Sequence, residues 1–194
     1  MRNQTTRLMM HLTFLILLII VMSLTPLGFI QIGLIRATLI HIPVIFGSLM
    51  YGWKMGAALG FAFGMMSFIN NTMVPTPLSF AFSPLIPVIG TDKGSVWALV
   101  IAFVPRILVG IVPYFVLNKT KKASLAALFG SLTNTVLVMG LIGFVFKDAY
   151  AQVMNIDVSL VYKVILGIVF TNGLAEAVVS TLILTPVYNR LKKS

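Results

Sequence analysis

The sequence predicts an all-α integral membrane protein: a single domain over residues 1–194, built of six transmembrane helices, with both termini cytoplasmic and a long proline-rich external loop between helices three and four. Three observations carry this reading. Mean hydropathy is +1.04. Hydrophobic residues make up 59% of the chain and charged residues only 9%, whereas a soluble domain carries roughly 25% charged residues to cover its surface. The apolar residues also fall in runs near the ~20 needed to cross a bilayer. Short polar breaks separate these runs, and no hydrophilic block is long enough to fold by itself.

The first helix is predicted over residues 8–25. Arg2 and Arg7 ahead of an apolar run from Leu8 imitate a signal peptide. No small-residue cleavage site follows and further spans do, so it reads as a retained span. Pro26 ends it, and a linker with Gly28 and Gly33 leads to a second helix, 35–51, interrupted by Pro43. Lys54 opens the third, 54–70. Between 70 and 95 stand Pro75, Pro77, Pro84 and Pro87. Each fixes φ and removes a backbone donor, so a continuous helix is excluded there. The remaining helices are predicted at 96–117, 123–146 and 160–188, with a short polar loop at 147–159.

Orientation follows from the cations. With the N-terminus inside, the inner segments hold Arg2, Arg7, Lys54, Lys119, Lys121, Lys122, Arg190, Lys192 and Lys193, and the outer ones hold Arg36, Lys93, Lys147 and Lys163. The bias is nine to four, and the opposite topology inverts it. Gly52, Gly56, Gly60 and Gly64 recur every four residues. At helical spacing they form a flat stripe, read as a tight packing surface rather than a sliding one.

Several function classes are excluded. The net charge of +10 is scattered over loops and does not form the basic face that nucleic acid requires. The absence of cysteine rules out disulfides and thiolate chemistry. The two histidines, His11 and His41, fall near opposite membrane faces, so no metal site is expected. Four acids, three of them in loops, leave no catalytic carboxylate pair. Gly90-Thr-Asp-Lys-Gly-Ser lacks the phosphate-loop spacing. No cofactor is expected, and any ATP hydrolysis must come from another subunit.

Two charges stand inside predicted spans, Arg106 in the fourth and Glu176 in the sixth. Each costs about 2.5–3.5 kcal/mol at a bilayer centre on insertion scales, so neither is idle. Thr133, Asn134 and Thr135 of the fifth span, and Thr171 and Asn172 of the sixth, lie at a similar depth. One reading is a structural Arg106–Glu176 ion pair. Another is a ligand site in which the guanidinium forks onto an anionic group. A third gives Glu176 a proton-coupling role. The proline-rich segment, with Ser79, Phe80 and Phe82, suits a lid over an outward pocket. Asn70, Asn71 and the Thr38–His41 stretch lie towards the same side, with His41 either a ligand contact or a helix-start hydrogen bonder. The candidate binding residues are thus Arg106, Asn134, Thr133, Asn172, Glu176, Asn70, Asn71, His41, Ser79 and Phe80.

Local text adds a resemblance. Thr25-Pro-Leu-Gly-Phe-Ile, Thr38-Leu-Ile-His-Ile-Pro-Val-Ile-Phe-Gly, Lys54-Met-Gly-Ala-Ala-Leu-Gly-Phe-Ala-Phe-Gly, Ser79-Phe-Ala-Phe-Ser-Pro and Val104-Pro-Arg-Ile-Leu-Val-Gly resemble the substrate-binding (S) components of energy-coupling factor (ECF) vitamin transporters, most of all the pantothenate type. The resemblance implies a multi-pass protein of the bacterial plasma membrane that captures a vitamin from outside. A transmembrane coupling protein and two cytoplasmic ATPases would then reorient it for release inside. It also implies a site built from the loops after helices one and three and the outer parts of helices four to six. The first helix departs from the family pattern: 8–24 contains no alanine or glycine where an A-x-x-x-A is usual. The alternatives are an S component for a riboflavin- or pyridoxine-type vitamin, a self-sufficient proton-coupled carrier using Glu176, and a non-transport membrane scaffold.

Overall fold

The computed structural model describes residues 2–32 and 35–193, with side chains described outside 2–5, 29–37 and 193. Gly33 lies outside the described residues, as do the side chains of Arg2, Arg36 and Lys193 that entered the charge bias.

Helix α1 spans Arg2–Leu24. A short 3-10 turn at Pro26–Gly28 follows, then a two-stranded antiparallel hairpin of β1 (Phe29–Ile32) and β2 (Ile35–Thr38), with Phe29 opposite Thr38. Helix α2 covers His41–Tyr51 and α3 covers Trp53–Met73. The proline-rich segment contains one 3-10 turn, Ser79–Ala81. Helices α4 (Trp97–Thr120) and α5 (Ala123–Val145) come next. The short α6 (Lys147–Met154), α7 (Val161–Ile168), a π-helical turn at Val169–Gly173 and α8 (Leu174–Lys193) complete the chain.

Four expectations are corrected. Among the described residues the only strands are those of the hairpin, which takes residues 35–38 from the expected second helix. Pro43 does not interrupt that helix but sits in its first turn, where a missing N–H costs no intrahelical bond. The sixth helix is not uniform: a π turn interrupts it just before Glu176. The expected loop 147–159 is largely the helix α6. Between α2 and α3 the chain turns at Gly52, whose φ of +95° is open to glycine and strained for other residues.

Among the described residues, four helical stretches are long and apolar enough to cross a membrane: Thr6–Leu24, Trp97–Thr120, Ala123–Val145 and Val158–Lys192. Large apolar side chains such as Phe14, Phe144, Phe170 and Leu182 point outward and are more than half exposed, as a lipid-facing surface requires and a water-facing one avoids. Inside, α3 packs along α4, α4 along α5, and α5 along α8, with α1 and α2 covering α3. Backbones approach closely at the glycine stripe. An added Cβ at Gly56 would overlap the Gly110 carbonyl, one at Gly60 the Arg106 carbonyl, and one at Gly64 would touch the Phe103 ring. The order 56–60–64 against 110–106–103 makes α3 and α4 antiparallel, with small residues as the reason they can touch. This contact holds Arg106 against α3.

Candidate functional site

The site begins with Pro105. Lacking an N–H, it leaves the carbonyl of Ile101, four residues earlier, without its helical donor. The side chain of Arg106 curls back and fills that gap, Nη1 donating to the Ile101 carbonyl at 2.6 Å. The guanidinium then lies between two aromatic faces, 5.6 Å from the Phe63 ring centroid and 5.0 Å from that of Phe82. Both distances fall within cation–π range. One helix, α3, and the proline-rich segment thus hold the group between them. Arg106 is buried, and its Nε has no hydrogen-bond partner among the described residues.

Arg106 lines a cavity of about 190 Å³ together with Asn134, Phe63, Phe82, Thr38 and Asn70, among others. Two further buried polar atoms on its lining residues are unpartnered, Asn134 Oδ1 and Ser23 Oγ. A wider space of about 550 Å³ adjoins it, sharing Ser23, Thr38, Asn70 and Asn71 and adding Leu24, Pro26, Val74 and Thr76. The inner cavity is below the ~300–1,000 Å³ usual for small-molecule sites, so a ligand that fills it extends into the outer space. A donor edge, an amide oxygen and a hydroxyl in an aromatic-walled recess suit an anionic, hydroxylated small molecule.

Glu176 does not pair with Arg106. Its Oε1 accepts the backbone N–H of Thr38 at 2.8 Å, and its Oε2 accepts the hydroxyl of Thr135 at 2.9 Å. No ion pair joins it to Arg106 among the described residues, so the buried guanidinium has no carboxylate of its own.

Of the sequence candidates, the structure brings Arg106, Asn134, Asn70 and Asn71 to the cavity. Asn70 donates to the Ser23 carbonyl at 2.8 Å and ties the end of α1 to α3. Asn71 donates to the Ser67 carbonyl and accepts from Ser79 Oγ, each at 2.8 Å. Ser79 therefore lies behind the lining as the hub of the loop, also accepting the Thr76 N–H at 2.8 Å. Phe80 points away and packs edge-on against Phe146, 5.5 Å between centroids, while Phe82 two residues on faces Arg106. His41 is fully buried and joins three helices, its Nε2 being 2.8 Å from Ser180 Oγ and 3.0 Å from Ser131 Oγ. Thr133 is on the outer face of α5 and returns its hydroxyl to the Phe129 carbonyl at 2.7 Å. Asn172 lies in the π turn, taken by the Thr171 hydroxyl at 3.2 Å. None of His41, Thr133, Asn172, Ser79, Phe80 or Glu176 is among the cavity-lining residues.

The sequence reading missed Phe63, Ser67 and Ser23. The first two carried a signal: 63, 67, 70 and 71 are spaced i, i+4, i+7, i+8 and share one helical face with the two asparagines. Ser23 had none, because its place depends on the Asn70 contact with α1.

The profile of a family described as "ECF transporter, substrate-specific component" matches residues 9–188. The pantothenic acid transporter PanT of Lactococcus lactis subsp. cremoris (strain MG1363) is 47% identical over 164 residues, covering 82% of this chain and 80% of that protein. The helical framework, the lipid-facing surface, the recess and these two likenesses agree, and the chain belongs to the ECF transporter substrate-specific component family, as a multi-pass protein of the bacterial cell membrane.

Proposed function

We propose that this chain captures pantothenate from outside the cell, with the carboxylate against the free edge of Arg106. The observation that carries the reading is the buried guanidinium: it lines the cavity, keeps an unpartnered Nε, and has no carboxylate hydrogen-bonded to it among the described residues. A buried cation of this kind is stabilised by an incoming carboxylate, and the Nε–Nη2 edge offers the bidentate geometry that carboxylates fit. Pantothenate also carries an amide and two hydroxyls, which Asn134, Ser23 and Thr38 complement in type. The relative's name, a pantothenic acid transporter, supports the same ligand.

In this proposal the chain makes six passes with both ends cytoplasmic, α2 and α3 supplying the two shorter or more glycine-rich ones. A transmembrane coupling protein and two cytoplasmic ATPases supply the energy. The helix surface that meets the coupling protein differs from the usual first-helix pattern, as the absence of alanine and glycine from 8–24 requires.

Titration calorimetry on the purified protein tests the ligand. Pantothenate should bind, and its alcohol analogue pantothenol, which lacks only the charge, should bind about 100-fold more weakly or not at all. Saturable binding of riboflavin or pyridoxine with none of pantothenate would overturn the assignment. Uptake that persists in cells lacking the ATPases would replace the subunit reading with a self-sufficient carrier.

A further inference from the structure

We propose that Glu176 is a positioning residue of the substrate site, tying the cavity-lining residue Thr38 to the helical bundle and so fixing one wall of the recess. Thr38 ends β2, 138 residues away in sequence, and belongs to the hairpin rather than to any helix. Its backbone N–H donates to Glu176 Oε1 at 2.8 Å, and the other carboxylate oxygen takes the Thr135 hydroxyl of α5 at 2.9 Å. One side chain of α8 thus clamps a strand and a second helix together.

The local backbone serves this geometry. The π turn at Val169–Gly173 contacts β2 and inserts extra backbone just before Glu176, which rotates the following residues relative to a regular helix. Gly173 lets that turn lie against Thr135: an added Cβ would stand 3.2 Å from Thr135 Cγ2. Thr135 is thereby held against the chain about one turn before Glu176, whose carboxylate accepts its hydroxyl. With both oxygens occupied, Glu176 acts on the ligand through Thr38 and not by touching it. The same occupation leaves both carboxylate oxygens bonded elsewhere than to Arg106, whose Nε stays unpartnered and available to an anion.

The experiment has two arms. The chain has no cysteine, so Thr38→Cys introduces a single thiol while keeping the backbone N–H that Glu176 accepts. Labelling of this thiol by a soluble maleimide in nanodiscs should be slow. It should accelerate about tenfold when Thr135→Val removes one hydrogen bond to the carboxylate, and more with Glu176→Ala. In the native-Thr38 background, Glu176→Ala should speed pantothenate dissociation at least about tenfold. Glu176→Gln should stay within about threefold of the parent, because its amide can accept from Thr38 and donate to the Thr135 hydroxyl. Unchanged labelling in the Thr135→Val background overturns the proposal, even if Glu176→Ala fails to fold. So does a Glu176→Gln variant as impaired as Glu176→Ala, which would assign the effect to the charge itself. The binding arm rests on the pantothenate reading; the labelling arm uses no substrate, so failure of that reading leaves the positioning role testable.

Discussion

Arg106→Ala is expected to remove pantothenate binding, by about 10²- to 10³-fold or more, while the protein still inserts and folds. Truncating one partner of a buried, hydrogen-bonded charge pair costs 2–5+ kcal/mol, and each ~1.4 kcal/mol is tenfold. The effect on folding is much smaller because two terms oppose each other. The guanidinium is held in the bundle with no carboxylate hydrogen-bonded to it among the described residues, and an arginine at a span centre costs about 2.5–3.5 kcal/mol to insert, which the alanine variant avoids. Against this, the Ile101 carbonyl loses its donor, and Pro105 cannot replace it. Leaving such a group unpaired costs about 1–3 kcal/mol. Arg106→Lys separates charge from shape: an ammonium cannot reach the Ile101 carbonyl and offer a two-pronged edge at once, so affinity should fall about tenfold or more although the charge is kept. Calorimetry beside size-exclusion profiles reads both quantities. Wild-type affinity in the alanine variant would remove the anion site altogether.

The parts of this site that could be read from sequence are those in which a single residue announces a cost. Arg106 and Glu176 stand out because charges are expensive inside a span. The glycine stripe stands out because its period matches a helix turn, and the structure packs its α3 glycines against α4. What could not be read is how the expensive groups are satisfied. Two opposite charges at one depth suggest a pair, yet Glu176 is taken by a backbone N–H of a hairpin and by Thr135, contacts that only tertiary structure creates. Thr133, Asn134 and Thr135 are consecutive on α5, and successive helical residues point about 100° apart. Asn134 meets the cavity, Thr135 meets Glu176, and Thr133 faces outward. Polar composition located the level of the site without its direction. The hairpin went unread because its apolar residues extend the pattern of the next span, and Pro43 reads equally as an interruption or as a helix start.

A single methyl group placed at Gly60 should be among the most damaging small substitutions in the chain. The Cβ of Gly60→Ala would overlap the Arg106 carbonyl oxygen and come within 2.8 Å of Ile107 Cα. Both are backbone atoms, which cannot swing aside as a side-chain tip can, so α3 and α4 must separate locally. Overpacking of this kind costs typically 1–3 kcal/mol and sometimes more. The gain in helix propensity on replacing glycine, about 1 kcal/mol at most, does not offset it. The displaced atoms belong to Arg106 itself, so the guanidinium also shifts relative to Asn134, and pantothenate affinity should fall about tenfold or more, since a misplacement of an ångström or less disrupts a preorganised polar site. Gly140→Ala is the matched control. Gly140 is a helical glycine of α5 with nothing within 4 Å of an added Cβ, so the same methyl should leave binding intact and leave the melting temperature equal or slightly raised. Thermal unfolding followed by the fluorescence of Trp53 and Trp97 distinguishes the pair. Equal shifts in the two variants would show that the α3–α4 contact is looser than the structure has it, and that Arg106 owes its place to Phe63, Phe82 and the Ile101 carbonyl alone.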